Sequence, residues 1–381
     1  MGVKFKNNKL RVLHVIAALE RGGAERQLQI IVNNADRSVY KMGILFISYG
    51  SEIPNIRDDI DLLQIKDYYK INLFRHWDSI RQSIVSWQPD ILHLWLPEIM
   101  TIPSAIVGKL YSIPILSAQR RSINNSGSMY QWIRDRSRYI QHVLADRLVT
   151  NFDTINEPLF YRILFHRKKG ITIPNSIELK LTSSNLVFPD LLDEQKIFKL
   201  WFTGRFVKQK CLPLLIEAIG ILKKENYPVV LFVCGHGSER ETLILKKLVE
   251  KHKLEDSIIF LGYRKDWHIL VKKADLLVLP SIREGMPNVM LEAMALGIPV
   301  LVSDISEIKA LVEHKKNAYL FHVNRLDSLV NSLKELYSLG ELRKYIAQNG
   351  QEFVQQLVNH RNMVSSYENL YQELLMSKKK P

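Results

Sequence analysis

The chain of 381 residues is 46% apolar and 24% charged, and its 53 lysines and arginines against 39 acids give a formal charge of +14. That is the make-up of a globular protein with room for two or three domains and sizeable cores. Only two cysteines occur, Cys211 and Cys234, which excludes a disulfide-built secreted scaffold and suits a reducing compartment.

The basic opening, residues 1–9, is followed by no apolar block with a cleavage site, so no secretory signal is expected. Apolar runs at 12–18, 43–47, 91–95, 114–117, 148–151 and 171–173 predict strands. They lack polar alternation, the mark of strands covered on both faces in a parallel sheet with helical crossovers. The most apolar stretch, 91–116, is broken by Pro97, Glu98, Pro103, Lys109 and Pro114, and so falls short of the ~20 apolar residues of a membrane span. A segment at 183–195 with serines, an asparagine and Pro189 reads as a linker. Beyond it a second strand series follows at 199–203, 229–234, 258–261, 276–279, 299–303 and 318–321, with helical periodicity at 212–224, 239–251 and 326–339. The expected fold is α/β: two Rossmann-like doubly wound domains, residues 1–188 and 189–360, facing across a cleft. A last helix near 364–375 carries Val364, Tyr367, Leu370, Tyr371 and Leu374 on one stripe. With the basic tail it forms a segment, 361–381, that either packs back on the first domain or is an ordinary terminal helix.

Three segments at strand ends are candidates for chemistry. Gly22-Gly23 follows the first strand and opens a helix, a turn that lets a ligand approach backbone amides at the helix's positive end. The dinucleotide fingerprint GxGxxG is not met there. Arg205 and Lys210 leave the first strand of the second series, a planar fork and a mobile ammonium that can both hold phosphate oxygens. After the strand at 276–279, Pro287 suits the first turn of a helix whose Asn288 and Val289 amides would face a phosphate. Glu284 in the loop and Glu292 in the helix are read as ligands of sugar hydroxyls, since carboxylates would repel phosphate.

The spacing Glu284…Glu292 resembles the EX7E signature of retaining glycosyltransferases of the GT-B fold, family GT4, and the likeness runs over nearly the whole chain. Gly22-Gly23-Ala24-Glu25 is similar to that family's GGAE, His93-Leu94-Trp95 with Pro97 to its mid-domain strand end, and Ile173-Pro174-Asn175-Ser176-Ile177 to its IPNGID. Gly235-His236-Gly237-Ser238 is similar to its GDGP, and residues 280–294 with Gly297-Ile298-Pro299-Val300 match most closely. The resemblance implies a donor diphosphate held by Arg205 and Lys210, with Glu284 beside the transferred sugar and Glu292 on ribose hydroxyls. It also implies a first-domain loop at Gly22 and Gly23 that closes on the donor, and phosphate and sugar contacts at Gly235, Asn288 and Val289. Arg264, in Gly262-Tyr263-Arg264, is the candidate for the base pocket. Two positions depart from the family. Its glycine after the lysine is Cys211, and a histidine many members carry near 117–122 is absent, leaving Gln119 and Arg120.

The implied function is hexosyl transfer, with retention and without metal, from a nucleotide-diphosphate sugar to a lipid-linked or polysaccharide acceptor in cell-surface glycan synthesis. A UDP-sugar is the expected donor; the residues themselves leave sugar, base and acceptor open. The alternative is a catalytically impaired GT-B binding subunit of a glycan assembly complex. No metal or other cofactor is expected: Asp59-Ile60-Asp61 spells DxD but reads as a solvated turn, and no histidine or cysteine grouping has ligand spacing. Between residues 101 and 170, eleven basic side chains stand against four acids, half the net charge of the chain. Without a zinc-finger, RNP or helix-turn-helix pattern this argues against nucleic acid as the partner. It favours an anionic membrane surface, with Tyr130, Trp132 and Tyr139 as interfacial candidates. The expected location is cytoplasmic, peripheral on the inner face of the membrane.

Overall fold

The computed structural model describes residues 9–19, 22–49, 55–65, 73–96, 100–120, 139–151, 159–177, 179, 196–357 and 360–378. The chain forms two compact units, Met1–Ser176 with Asn359–Pro381, and Ile177–Val358. In the first unit the strands are β1 (Leu10–Val15), β2 (Ala18–Leu19), β3 (Tyr40–Phe46), β4 (Ser48–Tyr49), β5 (Asp61–Gln64), β6 (Ile91–Leu94), β7 (Ile115–Gln119), β8 (Arg147–Thr150) and β9 (Ile171–Thr172). Seven of them make one parallel sheet in the order β5-β3-β1-β6-β7-β8-β9, and β2 pairs with β4. The second unit contains β10 (Phe198–Thr203), β11 (Val229–Cys234), β12 (Ile258–Gly262), β13 (Leu276–Leu279), β14 (Val300–Ser303) and β15 (Tyr319–Phe321), parallel in the order β12-β11-β10-β13-β14-β15.

Both sheets are doubly wound, and the winding reverses between β1 and β6 in one and between β10 and β13 in the other. Such switch points open a crevice at the carboxyl ends of the strands. Successive strand residues feed opposite faces, so each sheet carries two cores: Leu200 and Phe202 face one, Trp201 the other. Burial on both faces explains why these strands show as unbroken apolar runs. Edge strands depart from this: β9 is exposed at both residues, and β5 has Leu62 43% exposed. Its half-polar alternation hid it in an acidic stretch. Asp61 is thus the first residue of a strand rather than part of a solvated turn. Its carboxylate takes the Lys41 ammonium at 2.8 Å and the Trp87 indole N–H at 2.8 Å, while Asp59 pairs with Arg37 and Arg57.

The units part at Ser176 and Ile177, not at the expected 188/189. Gln27 exchanges two hydrogen bonds of 2.8 Å with the Ser176 backbone, tying it to the first unit, whereas Ile177 packs on a core of the second. The expected linker at 183–195 lies outside the described residues. At the other end the chain returns to the first unit at Asn359, just before the expected 361. The helix His360–Lys378 packs back on that unit, burying Val364, Tyr367, Leu370, Tyr371 and Leu374 against the helix Gly23–Asn34 and the sheet.

Two histidines lie beneath this helix. His14 and His93, on neighbouring strands, are fully buried with ring centroids 4.9 Å apart. Trp95 Nε1 donates to His14 Nδ1 at 3.1 Å, and His93 Nδ1 lies 2.8 Å from the Tyr371 hydroxyl. Burial pushes His14 down to about 3 and His93 well below the usual histidine range, the latter helped by the charges of His14 and Arg120. The fold therefore holds both rings neutral, while an unfolded chain protonates them below about pH 6.5. Stability is full above that pH and falls as pH drops through the window from 6.5 downward, by about 1.4 kcal/mol per unit for each histidine. Urea unfolding at pH 7.5 and 5.0 should show a loss of a few kcal/mol at the lower pH, reduced in a His14→Gln/His93→Gln protein. An unchanged loss in that double variant would remove the assignment to this pair.

Candidate active site

The switch point of the second sheet collects the loops that follow β10 and β13. A 3-10 turn, Lys208–Lys210, closes the first loop. It is bolted to the second by two hydrogen bonds, Ile282 N to Gln209 O at 3.0 Å and Gln209 Nε2 to Arg283 O at 2.6 Å. Through this clasp the Lys210 ammonium meets Glu284 Oε1 at 2.5 Å, with the two side chains only 17% and 9% exposed. An ion pair this withdrawn from water interacts far more strongly than a surface pair, because screening by solvent is largely lost.

Cys211 follows with φ 49° and ψ 36°, the left-handed conformation that glycine adopts without cost. Where the sequence has cysteine, the backbone thus takes a conformation that favours glycine. The cost is local strain of about 1–2 kcal/mol. Burial pushes the Cys211 thiol above its ordinary range.

Gly235 shows why glycine stands after β11. Its φ is +145°, and a β-carbon there would fall 1.9 Å from the Gly204 carbonyl oxygen. The β10 and β11 ends are thereby pressed together, with Phe206 N donating to His236 O at 2.7 Å and Gly235 N to Gly262 O at 2.8 Å. Three adjacent strand ends so present one continuous backbone rim.

The helix Asn288–Ala295 starts after Pro287 without a side-chain cap, with Asn288 and Val289 half-buried in its first turn. Its Glu292 is 1% exposed and lies 2.9 Å from His268 Nε2. The sequence did not disclose His268: it is 24 residues away, and only the crossover from β12 to β13 brings it under the helix.

The structure thus joins Lys210 to Glu284, sets Gly235 directly after β11, and sets Asn288 and Val289 in the first turn of the helix that follows β13. Arg205 is exposed on the β10 loop, and its guanidinium makes no hydrogen bond or ion pair among the described residues. It is near enough to Glu241 to add to the Ser238 hydrogen bonds that hold that carboxyl below its usual range. Arg264 is committed to Asp266, at 2.6 and 2.8 Å. Glu292 faces His268. Gly22 caps the helix Gly23–Asn34 in the first unit with ordinary extended backbone, φ −109°.

A doubly wound sheet with an ammonium–carboxylate pair and a helix start beyond its switch-point strands has a ligand crevice suited to an anionic group. Residues 187–353 match the family described as "Glycosyl transferases group 1". That match lies within the second unit and spans less than half of the chain. It is 26% identical to an uncharacterized glycosyltransferase of Haemophilus influenzae over 84% of this chain and 88% of that one. It is 25% identical to the UDP-Gal:alpha-D-GlcNAc-diphosphoundecaprenol alpha-1,3-galactosyltransferase of Escherichia coli, over 74% of this chain and 73% of that one. The crystal structure of Anabaena HepE in complex with UDP superposes with a TM-score of 0.76 at 18% identity, covering 96% of this chain and all of HepE. The fold is accordingly of the GT-B class.

Proposed function

We propose that the protein transfers a hexose, with retention, from a UDP-sugar to a lipid-linked or polysaccharide acceptor during synthesis of a cell-surface glycan. The observation that carries this reading is the Lys210–Glu284 pair at the β10/β13 switch point. The ammonium is positioned for a donor diphosphate and the carboxylate for the sugar that leaves it. The UDP bound to HepE and the UDP-Gal and diphosphoundecaprenol in the name of the Escherichia coli relative support donor and acceptor classes.

In a transfer with retention and no covalent intermediate, the departing diphosphate oxygen takes the proton of the attacking hydroxyl. The enzyme then needs cationic groups on the leaving phosphate rather than a strong base. Lys210, Arg205 and the amides of Asn288 and Val289 supply them, and preorganised charge of this kind is often the largest catalytic term. Glu284 orients the hexose and favours positive character on its ring. Glu292 reaches the ribose through a carboxylate whose other side His268 holds. With these cations in place we assign the reaction no metal requirement.

The acceptor reaches the first unit at the inner face of the membrane. No described helix is long and apolar enough to cross a bilayer. The helix Leu159–Arg167 instead exposes Leu159 by 68% and Phe160 by 56%, beside the exposed cations Arg162 and Arg167. An apolar edge flanked by positive charge suits an anionic lipid surface. Of the interfacial aromatics, Tyr139 packs edge-on against Phe160 at 5.2 Å; Tyr130 and Trp132 lie outside the described residues.

Thermal unfolding with added nucleotide tests the donor reading. Saturation at one hundred times Kd adds about 2.7 kcal/mol to the bound form, so UDP should raise Tm by several degrees, with or without EDTA. A rise with GDP and none with UDP would overturn the donor assignment.

A further inference from the structure

Arg120 is the first residue beyond β7, at the carboxyl end of a parallel strand one place from the β1/β6 switch point. It is 6% exposed. A guanidinium so far withdrawn from water is ordinarily matched by a carboxylate. Among the described residues Arg120 meets none. Nη1 donates to Asn175 Oδ1 at 3.1 Å, Nη2 donates to the Tyr367 hydroxyl, and the guanidinium carbon lies 4.7 Å from the centre of the Trp95 ring system. All three partners are neutral, and Nε has no acceptor. Asn175 is itself steadied by Asn151 Nδ2 at 3.0 Å. The chain just beyond β7, β8 and β9 therefore builds a fixed cationic corner in which Nε, withdrawn from solvent, is left unpartnered among the described residues.

We propose that this corner receives the phosphate oxyanions of a phosphorylated acceptor, the diphosphate that joins a sugar to its lipid carrier. A phosphate supplies the opposite charge that the described residues do not bring to Arg120, and its oxygens match the planar fork of arginine. The ligand's role as acceptor rests on the glycosyl-transfer reading above; the anion site stands on the geometry of the first unit alone. Free inorganic diphosphate offers the same oxyanions, so the experiment includes it.

The test titrates the full chain with farnesyl diphosphate, farnesol and inorganic diphosphate, in a Lys210→Ala background so that the donor loop does not compete. Two variants are compared, Arg120→Met and Asn175→Asp. The second places a carboxylate where Asn175 Oδ1 now lies 3.1 Å from Arg120 Nη1, neutralising the corner from within while keeping its shape. The expected result is farnesyl diphosphate binding at least tenfold tighter than farnesol, weakened tenfold or more by either variant, with a raised Tm for Asn175→Asp. If Arg120→Met does not fold, Asn175→Asp decides. Inorganic diphosphate binding as tightly as the farnesyl form supports the oxyanion site but overturns its assignment to a lipid-linked acceptor. Undiminished farnesyl diphosphate binding to a folded Asn175→Asp protein overturns the site and leaves Arg120 a structural cation. UDP affinity of the Asn175→Asp chain with Lys210 intact is measured separately, so failure to bind UDP counts against the donor reading alone.

Discussion

Replacing Lys210 with methionine or Glu284 with glutamine is expected to lower turnover by about 10²-fold or more, the scale of losing one preorganised charged group. The two losses should not add. The side chains touch at 2.5 Å in a nearly dry setting, so removing either one also disorganises the other. Residues that act as a unit give a double variant little worse than the worse single one. A double-mutant cycle on kcat/KM with the true donor reads this directly. Strict additivity would falsify the view that ammonium and carboxylate form one device. Arg205, free at the loop surface, is expected to add nearly independently to either of them.

Gly235→Ala should be the most damaging single methyl in the second unit. The added carbon has nowhere to go, because the atom 1.9 Å away is backbone carbonyl rather than the end of a flexible side chain. The φ of +145° is also one that alanine resists. Strain at such a backbone position and forced overpacking each cost about 1–3 kcal/mol. Together they correspond to a Tm fall of roughly 10 °C for a unit of this size. The rim formed by the ends of β10, β11 and β12 should part in consequence, so UDP binding should weaken even where the protein still folds. Calorimetry with and without UDP measures both effects, and an alanine variant with unchanged Tm would contradict the close approach of β10 and β11.

The parallel sheets were legible because strands such as β11 and β13, buried on every residue, leave an apolar run with no alternation. The carboxylate spacing 284…292 was legible because both residues belong to one loop and helix. What escaped was set by folding at a distance. The His268–Glu292 contact depends on how a crossover lies over the sheet, and β5 was masked by its exposed edge. The parting of the units at Ser176 depends on side-chain amide bonds from Gln27, which carry no local signature. Cys211 gives the opposite lesson. The residue type departs from the family's glycine, while the backbone, two residues after the Gln209 clasp to residues 282–283, takes the left-handed turn that glycine favours.

The helix His360–Lys378 completes the core of the first unit, although the whole of the second unit, Ile177–Val358, lies between them in the chain. On the ribosome the amino-terminal sheet therefore emerges long before the segment that shields Tyr40, His93 and Trp95 from water. The nascent amino-terminal half must wait, incompletely covered, while its neighbour is made and folds. Final closure joins residues more than three hundred positions apart, such as Tyr40 and Glu368, a long-range step that is slow by nature. Biogenesis, rather than turnover, is where this architecture is most exposed to chaperones and proteases.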